Sequence, residues 1–328
     1  MTKDRKTEIK EADAPERIAK VMARAGLASR RGAEAMIAEG RVTLNGKRLE
    51  TPAVTVGRTD DIRVDGKRLP RPEPTRLWRY YKPRGLLTTN RDDDGRGTIF
   101  DKLPENLPRV ISVGRLDMNT EGLLLLTNDG DLARYLELPD TGWLRRYRVR
   151  AYGRVEQSAL DTLAKGPVID GVVYGPVIAK VERHQGDNVW LTVDLREGKN
   201  REVKRVLATL GLAVNRLIRV SYGPFTLDRM TRGEVGEVPR RVLSQQVPAR
   251  FRRTAETGGQ GEGARPPMRK PPGGGRPARG AEPIGPGGGK PKRGGPPRSP
   301  SRPRKGGARP GAAKRGGSGI GRNADRRR

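Results

Sequence analysis

A short polar segment between two apolar runs constrains the fold of this chain most strongly. The runs at 110–113 (VISV) and 123–126 (LLLL) each suit a buried strand, and the sequence GRLDMNTEG separates them. The connection therefore carries Arg115 and Asp117 on a rigid apolar base, which is a common setting for binding or catalysis. An aspartate in such a turn is also often a structural cap. The residues alone leave both roles open.

The composition narrows the class of function. The chain has 328 residues and a formal net charge of +30, which favours a polyanionic partner, with nucleic acid as the first candidate. The absence of cysteine excludes disulfides and thiolate chemistry, and the single histidine, His184, gives little support for a His-centred triad or metal site. We therefore expect neither a metal nor a small-molecule cofactor.

The C-terminal quarter of the chain has no apolar periodicity. Residues 252–328 contain 21 Lys or Arg, 4 Asp or Glu, 21 Gly and 13 Pro, which gives a net charge of +17. A segment of this kind cannot offset the entropy that ordering would cost. We expect a disordered basic tail over 249–328 that binds RNA through charge, and a disordered N-terminus over 1–14.

Residues 15–69 have the pattern of two short helices followed by two hairpins. Helical spacing predicts a helix over 17–25, Ser29 is placed to cap a second helix, and Asn-Gly and Asp-Gly turns predict two hairpins. With the segment ASRRGAEAMIAEGRVTLNGK, this order resembles the S4-like RNA-binding domain. The resemblance implies phosphate contacts from Arg17, Lys20, Arg24, Arg30, Arg31, Arg41 and Lys47. A basic face that is merely solvated is the alternative interpretation.

The central polar segment resembles a known catalytic motif. GRLD followed by NTEGLLLLTNDG is similar to the motif of bacterial rRNA pseudouridine synthases of the RsuA/RluB type, and most similar to the RluB branch, which acts on large-subunit rRNA. The resemblance extends over about residues 16–240. It implies that Asp117 is the catalytic nucleophile. Arg115, next but one along the chain, is placed to occupy the gap that the flipped base leaves in the RNA or to clamp a phosphate. The resemblance also implies that YKPRG, with Tyr81 where many relatives have Asn, shapes the floor of the site.

Two later segments extend this resemblance. RRYRV alternates as a strand does, and a tyrosine in this context stacks on the target base in the family, which implies that role for Tyr147. A core tyrosine is the alternative. EGKNREVKR opens an amphipathic helix and resembles the motif whose basic residue pairs with the catalytic carboxylate. By position that residue is Lys204, with Lys199 and Arg201 nearby for RNA phosphates.

These observations predict an α+β fold. An S4-like domain over 15–69 is followed by a linker over 70–75 and a catalytic domain over 76–248. The catalytic domain is built on a mixed, mainly antiparallel sheet with flanking helices, and its predicted strands include 170–181. We expect a monomeric, cytoplasmic protein that binds ribosomal RNA and no membrane, since no apolar run approaches the roughly 20 residues of a membrane helix.

The expected activity is isomerisation of uridine to pseudouridine in 23S rRNA. Two alternatives stay open: a non-catalytic rRNA-binding assembly factor, and the same reaction on 16S rRNA. A glycoside hydrolase would need a second, opposed carboxylate. The nearest candidate, Glu121, is expected to face away from Asp117.

Overall fold

The computed structural model describes residues 14–90 and 92–253, and within them the chain has an α+β fold. The segments 1–13 and 254–328 lie outside the described residues, and with them most of the two segments for which the sequence predicts disorder. Within the described part of the chain, no helix is long and apolar enough to cross a bilayer.

The N-terminal part consists of two short helices and small antiparallel hairpins. Its elements are β1 (Glu16–Arg17), α1 (Ile18–Arg24), α2 (Arg30–Ala38), β2 (Val42–Leu44), β3 (Lys47–Arg48), β4 (Thr55–Val56), β5 (Ile62–Val64) and β6 (Lys67–Arg68). Ser29 caps α2 as predicted, because its Oγ accepts a hydrogen bond from Gly32 N at 3.0 Å. Both predicted hairpin turns are confirmed, since Asn45 and Asp65 adopt φ values of 50° and 52°.

This part of the chain has its own apolar core. Ile18 and Met22 of α1 pack with Ile37 of α2 and with Val42 and Ile62 of the small sheet, and all five side chains are buried. The two apolar clusters of the following part contain none of these residues. The two parts therefore fold around separate cores.

The second part contains the remaining eleven strands and five α-helices of the described residues. They are β7 (Leu77–Lys82), β8 (Ile111–Val113), β9 (Glu121–Thr127), α3 (Gly130–Glu137), β10 (Arg145–Tyr152), α4 (Gln157–Asp161), β11 (Val168–Ile169), β12 (Val172–Val173), β13 (Ile178–Gln185), β14 (Asn188–Leu195), α5 (Glu202–Ala208), β15 (Ala213–Tyr222), β16 (Phe225–Thr226), β17 (Val235–Glu237), α6 (Arg240–Gln246) and α7 (Ala249–Arg253). Short 3-10 helices cover Phe100–Lys102, Pro139–Thr141 and Thr162–Lys165.

One large sheet organises this second part. Its strands follow in the order β13-β14-β10-β15-β9-β7-β17, with β8 attached to β9 and β16 attached to β15. All pairs are antiparallel except β9 with β15, which confirms the predicted mixed sheet. Gly122 makes the parallel contact possible. Its φ is +109°, and a Cβ there would lie 2.3 Å from the carbonyl oxygen of Arg219, so a larger residue would push the strands apart.

The predicted strand after the polar loop is β9, and it lies inside the sheet. Leu124 and Leu126 belong to an apolar cluster that includes residues of α4 and α5. Leu123 and Leu125 belong to a second cluster that includes residues of α3, α6 and α7. All of β9 is buried, as a continuous apolar run predicts. The polar loop is thus attached to the most enclosed strand of the sheet.

Two sequence-based boundaries are wrong. Residues 170–181 do not form one strand, because β11 and β12 make a separate hairpin and β13 begins only at Ile178. Asp170 and Gly171 turn that hairpin with positive φ, and an Asp-Gly pair is a hairpin signal in the sequence. The predicted tail start at 249 falls within α7, where Phe251 is buried against Tyr135 with ring centroids 5.5 Å apart.

Candidate active site

Main-chain hydrogen bonds hold the loop that carries Asp117. The carbonyl oxygen of Asp117 accepts a bond from Thr120 N at 2.9 Å, which closes a turn between β8 and β9. The preceding carbonyl, of Leu116, accepts a bond from Thr88 Oγ1 at 2.9 Å. The Asp117 carboxylate makes neither of these bonds. It is therefore free to act on a partner or a substrate while the loop keeps its shape.

A buried lysine lies beneath this loop. Lys82, the last residue of β7, is fully buried, and its Nζ approaches four carbonyl oxygens. They are those of Pro83 at 3.0 Å, Asp117 at 3.2 Å, Met118 at 3.3 Å and Thr120 at 3.0 Å. Burial lowers the pKa of Lys82 to about 8, although the carboxylates of Asp117 and Glu121 oppose this. The resemblance assigned the YKPRG segment to the floor of the site but gave this lysine no role.

Lys204 forms an ion pair with the Asp117 carboxylate. Its Nζ lies 3.5 Å from Asp117 Oδ2, and the side chains are 19% and 37% exposed. The helix α5 brings it there because Val203 and Leu207 pack in the same apolar cluster as Leu116. Partial desolvation strengthens such a pair relative to one at the open surface. The exposed fraction of Asp117 leaves room for a substrate to approach it.

The start of α5 contains two neighbouring carboxyl groups. Lys199 N donates to Glu202 Oε2 at 2.8 Å, and Gly175 N donates to Glu197 Oε1 at 2.5 Å. Burial, together with the adjacent Glu197, raises the pKa of Glu202 to about 7. The Lys199 ammonium forms an ion pair with Glu197. Arg201 precedes the helix with a left-handed φ of 51°, is exposed, and forms no ion pair within the described residues.

We expect Glu202→Gln to stabilise the protein at pH 8. A carboxyl group whose folded-state pKa is raised stabilises the fold below its unfolded pKa, 4.5, and this contribution is lost as the pH rises through about 7. Glutamine keeps the acceptor for Lys199 N without the buried charge. The gain in unfolding free energy at pH 8 should be on the order of 1–2 kcal/mol and should shrink towards pH 5.

Thermal unfolding between pH 5 and pH 8.5 checks this expectation. The exposed Glu105→Gln variant is the matched control, and it should follow the parent protein at every pH. A Glu202→Gln melting temperature that differs from the parent by the same amount at pH 5 and pH 8 would contradict the assignment.

Tyr147 and Arg115 have different environments. Tyr147 is 8% exposed and lies in the apolar cluster that also contains Leu116 and Val203, the sequence neighbours of Asp117 and Lys204. Arg115 is exposed and forms no ion pair within the described residues. The structure thus buries the tyrosine in this apolar cluster and leaves the arginine exposed in the loop that carries Asp117.

Four of the predicted RNA-contacting residues in the N-terminal part are exposed and form no ion pair within residues 14–90 and 92–253. They are Arg17, Arg30, Arg31 and Lys47. Their charges are available to a polyanion.

The other three are bound to acidic side chains of the same chain. The pairs join Lys20 to Asp131 at 2.8 Å, Arg24 to Asp129 at 3.2 Å and Arg41 to Asp65 at 2.7 Å. The prediction that all seven basic residues form one face open to RNA is therefore corrected for these three. The partners of Lys20 and Arg24 lie more than 100 residues later in the chain, so only the folded structure shows them.

Glu121, the nearest second carboxyl group in the sequence, is fully engaged. Arg216 Nε donates to its Oε1 at 2.7 Å and Arg232 Nε to its Oε2 at 3.2 Å. Burial alone would raise the pKa of Glu121, but the two arginines outweigh burial and hold it below its usual value. A glycoside hydrolase would need this group as a free acid or base. Among the described residues, no group of three or more His, Asp or Glu side chains could hold a metal ion.

Known proteins match both parts of the chain. The family model described as RNA pseudouridylate synthase matches residues 76–209, and the S4 domain model matches residues 16–62. An uncharacterized RNA pseudouridine synthase of Rickettsia felis is 46% identical over 230 residues, which cover 70% of this chain and 100% of that protein. Ribosomal large subunit pseudouridine synthase B of Yersinia pestis is 41% identical over 223 residues, 65% of this chain and 69% of that protein.

A crystal structure of a pseudouridylate synthase aligns with a TM-score of 0.49 and 29% identity, covering 70% of this chain and 99% of that chain. The family matches include the loop with Asp117, the strand with Tyr147 and the helix with Lys204, and they confirm the resemblance seen in the sequence. The chain therefore belongs to the RNA pseudouridine synthases of the RsuA/RluB type, isomerases that act on RNA and carry an N-terminal S4 domain.

Proposed function

We propose that this chain isomerises uridine to pseudouridine in the ribosomal RNA of the large subunit. The observation that carries the chemistry is a carboxylate on a hydrogen-bonded loop, Asp117, with Lys204 Nζ at 3.5 Å. The large subunit is favoured because the Yersinia pestis relative, 41% identical, is named for it. The same reaction on small-subunit rRNA is the second candidate.

The reaction needs a carboxylate and a pocket that encloses the uracil, and it needs no redox partner. The bond between N1 and C1′ breaks, the uracil turns while it stays bound, and a bond forms between C5 and C1′. C5 loses a proton and N1 gains one, so atoms and electrons balance without a second substrate. Asp117 has three chemically reasonable roles: attack at C1′, attack at C6, or removal of a proton.

We assign the neighbouring residues by their positions. Lys204 orients the Asp117 carboxylate through the ion pair. Enzymes that act on a base reach it by extruding it from the RNA stack. Tyr147 packs on the extruded base. Arg115, exposed and next but one to Asp117, contacts the RNA beside the extruded nucleotide. Lys199 and Arg201 add phosphate contacts at the start of α5.

The substrate is held mainly through phosphate contacts. Arg17, Arg30, Arg31 and Lys47 of the S4 domain are exposed cations that position RNA without reading its sequence. Residues 252–328 add a net charge of +17, which raises affinity at low salt. We propose that the enzyme acts as a monomer in the cytoplasm, where ribosomes are assembled, and requires neither metal nor cofactor.

Pseudouridine mapping in both rRNAs tests this function. Cells without the gene should lose one modified position in large-subunit rRNA, and the intact gene should restore it while the Asp117→Asn gene should not. Loss of a position in small-subunit rRNA would establish the second candidate instead. Unchanged maps in both rRNAs, with a defect in ribosome assembly, would indicate a non-catalytic factor.

A further inference from the structure

The turn that follows β9 holds the end of the interdomain linker. Thr127 Oγ1 donates to the carbonyl oxygen of Arg76 at 2.7 Å, and Thr75 Oγ1 donates to Asp129 Oδ2 at 2.6 Å. The Asn128 amide accepts from Arg76 N at 2.9 Å and donates to Pro74 O at 2.9 Å. Three consecutive polar side chains of the catalytic domain therefore bind residues 74–76. This end of the linker is fixed to the catalytic domain.

Arg24 of the S4 domain binds the same turn. Its guanidinium pairs with Asp129 at 3.2 Å and donates to Thr75 Oγ1 at 3.1 Å and Asn128 O at 3.4 Å. The two charged side chains are only 16% and 7% exposed, so salt screens this pair weakly. The Arg24 guanidinium, with three acceptors around it and 16% of the side chain exposed, is largely occupied within the protein.

A second ion pair joins the same two elements one turn away. Lys20 lies four residues before Arg24 on α1, and its Nζ is 2.8 Å from Asp131 in the first turn of α3. Lys20 also contacts Glu16 at 2.5 Å within the S4 domain. Two cations on one face of α1 thus meet two carboxylates at the start of α3.

The strand β9 connects this contact to the catalytic loop. Asp117 lies four residues before its first residue, Glu121, and the turn begins at its last residue, Thr127. Seven residues in a strand span about 23 Å at about 3.3 Å per residue. The strand is buried throughout and paired with β7, β8 and β15, so its length is a fixed distance within the catalytic domain.

We propose that Lys20, Arg24 and residues 127–131 form an interdomain latch that fixes the S4 domain at a set distance from Asp117. The S4 domain grips structured RNA, and the latch then determines which uridine along that RNA reaches the catalytic loop. Lys20 and Arg24 are positioning residues in this proposal rather than phosphate ligands. The proposal rests on the proposed function for its effect on site choice, whereas the latch itself is independent of catalysis.

A charge exchange tests the role of Lys20. Lys20→Glu and Asp131→Lys each break the pair, and the double variant restores it with reversed polarity. Each single variant should raise KM for the RNA by about fivefold to tenfold, with a smaller fall in kcat, and should modify additional uridines near the target. The double variant should return to within about threefold of the parent. A double variant as defective as Lys20→Glu would overturn the role of the Lys20–Asp131 pair in the latch.

A distance measurement tests the latch without any reaction. The chain has no cysteine, so no native thiol competes for the spin label. One label is attached at Glu50→Cys in the S4 domain and the other at Tyr152→Cys in the catalytic domain, and both positions are exposed. We expect a narrow distance distribution in the latched protein and a broad one after Arg24→Met. Arg31→Met is the matched control, because it removes an exposed charge from the same domain, and it should keep the narrow distribution. A narrow distribution in Arg24→Met would overturn the proposal even if the protein proved not to be a synthase.

Discussion

Asp117→Asn should abolish pseudouridine formation, with a fall in turnover on the order of 10⁴-fold or more. Asparagine keeps the size of the side chain but removes the charge and the nucleophilic oxygen. The loop should keep its shape, since the hydrogen bonds to Thr120 and Thr88 use main-chain groups of residues 116 and 117 rather than the carboxylate. Single-turnover assays on a prefolded rRNA fragment measure the effect directly.

RNA binding and stability are the controls for this variant. The affinity for the fragment should stay within about threefold of the parent, because removing one negative charge only slightly favours phosphate binding. The melting temperature should also be nearly unchanged. Turnover by Asp117→Asn within a factor of ten of the parent would mean that another group performs the chemistry.

Lys204→Met should lower turnover about tenfold to one-hundredfold. Breaking a fully buried ion pair costs about 3–5 kcal/mol, but Asp117 is 37% exposed, so water compensates part of the loss. We therefore expect a cost of about 1–3 kcal/mol in transition-state stabilisation. Comparing kcat and KM for the parent and the variant should show that most of the effect is in kcat.

A nearby lysine supplies the matched control. Lys199→Met removes a positive charge close to the start of α5, but this residue pairs with Glu197 and not with Asp117. It should raise KM with little change in kcat. If Lys204→Met turned over at the parental rate, the functional partner of Asp117 would have to be another cation, such as Arg201.

Local sequence patterns predicted most elements that carry the site. The apolar runs around GRLD predicted β8 and β9, and the spacing of Val203, Val206 and Leu207 predicted α5. Ser29 was predicted as a helix cap, and its hydroxyl accepts a main-chain hydrogen bond from Gly32 N. These features depend on residues close in sequence, so neighbouring side chains are enough to specify them.

Which side chains meet in the site could not be predicted from local sequence pattern. Asp117 and Lys204 are 87 residues apart, and only the resemblance to a family paired them before the fold brought them to 3.5 Å. Lys82 lies in the YKPRG segment, but its contacts come from four carbonyl oxygens that converge from two segments. The two arginine partners of Glu121 could not be predicted from the sequence around it, because they come from β15 and from the segment before β17.

The sequence by itself determined the family, the two folded parts and the residues available for chemistry, since motif, apolar period and turn residues are properties of neighbouring positions. Tertiary structure alone decided which charges are free and which are bound. Lys20 and Arg24 lie on the same predicted basic helix face as Arg17, yet they pair with Asp131 and Asp129. Such pairing depends on how one domain lies against another, and the strength of each pair depends on how much water the two domains exclude.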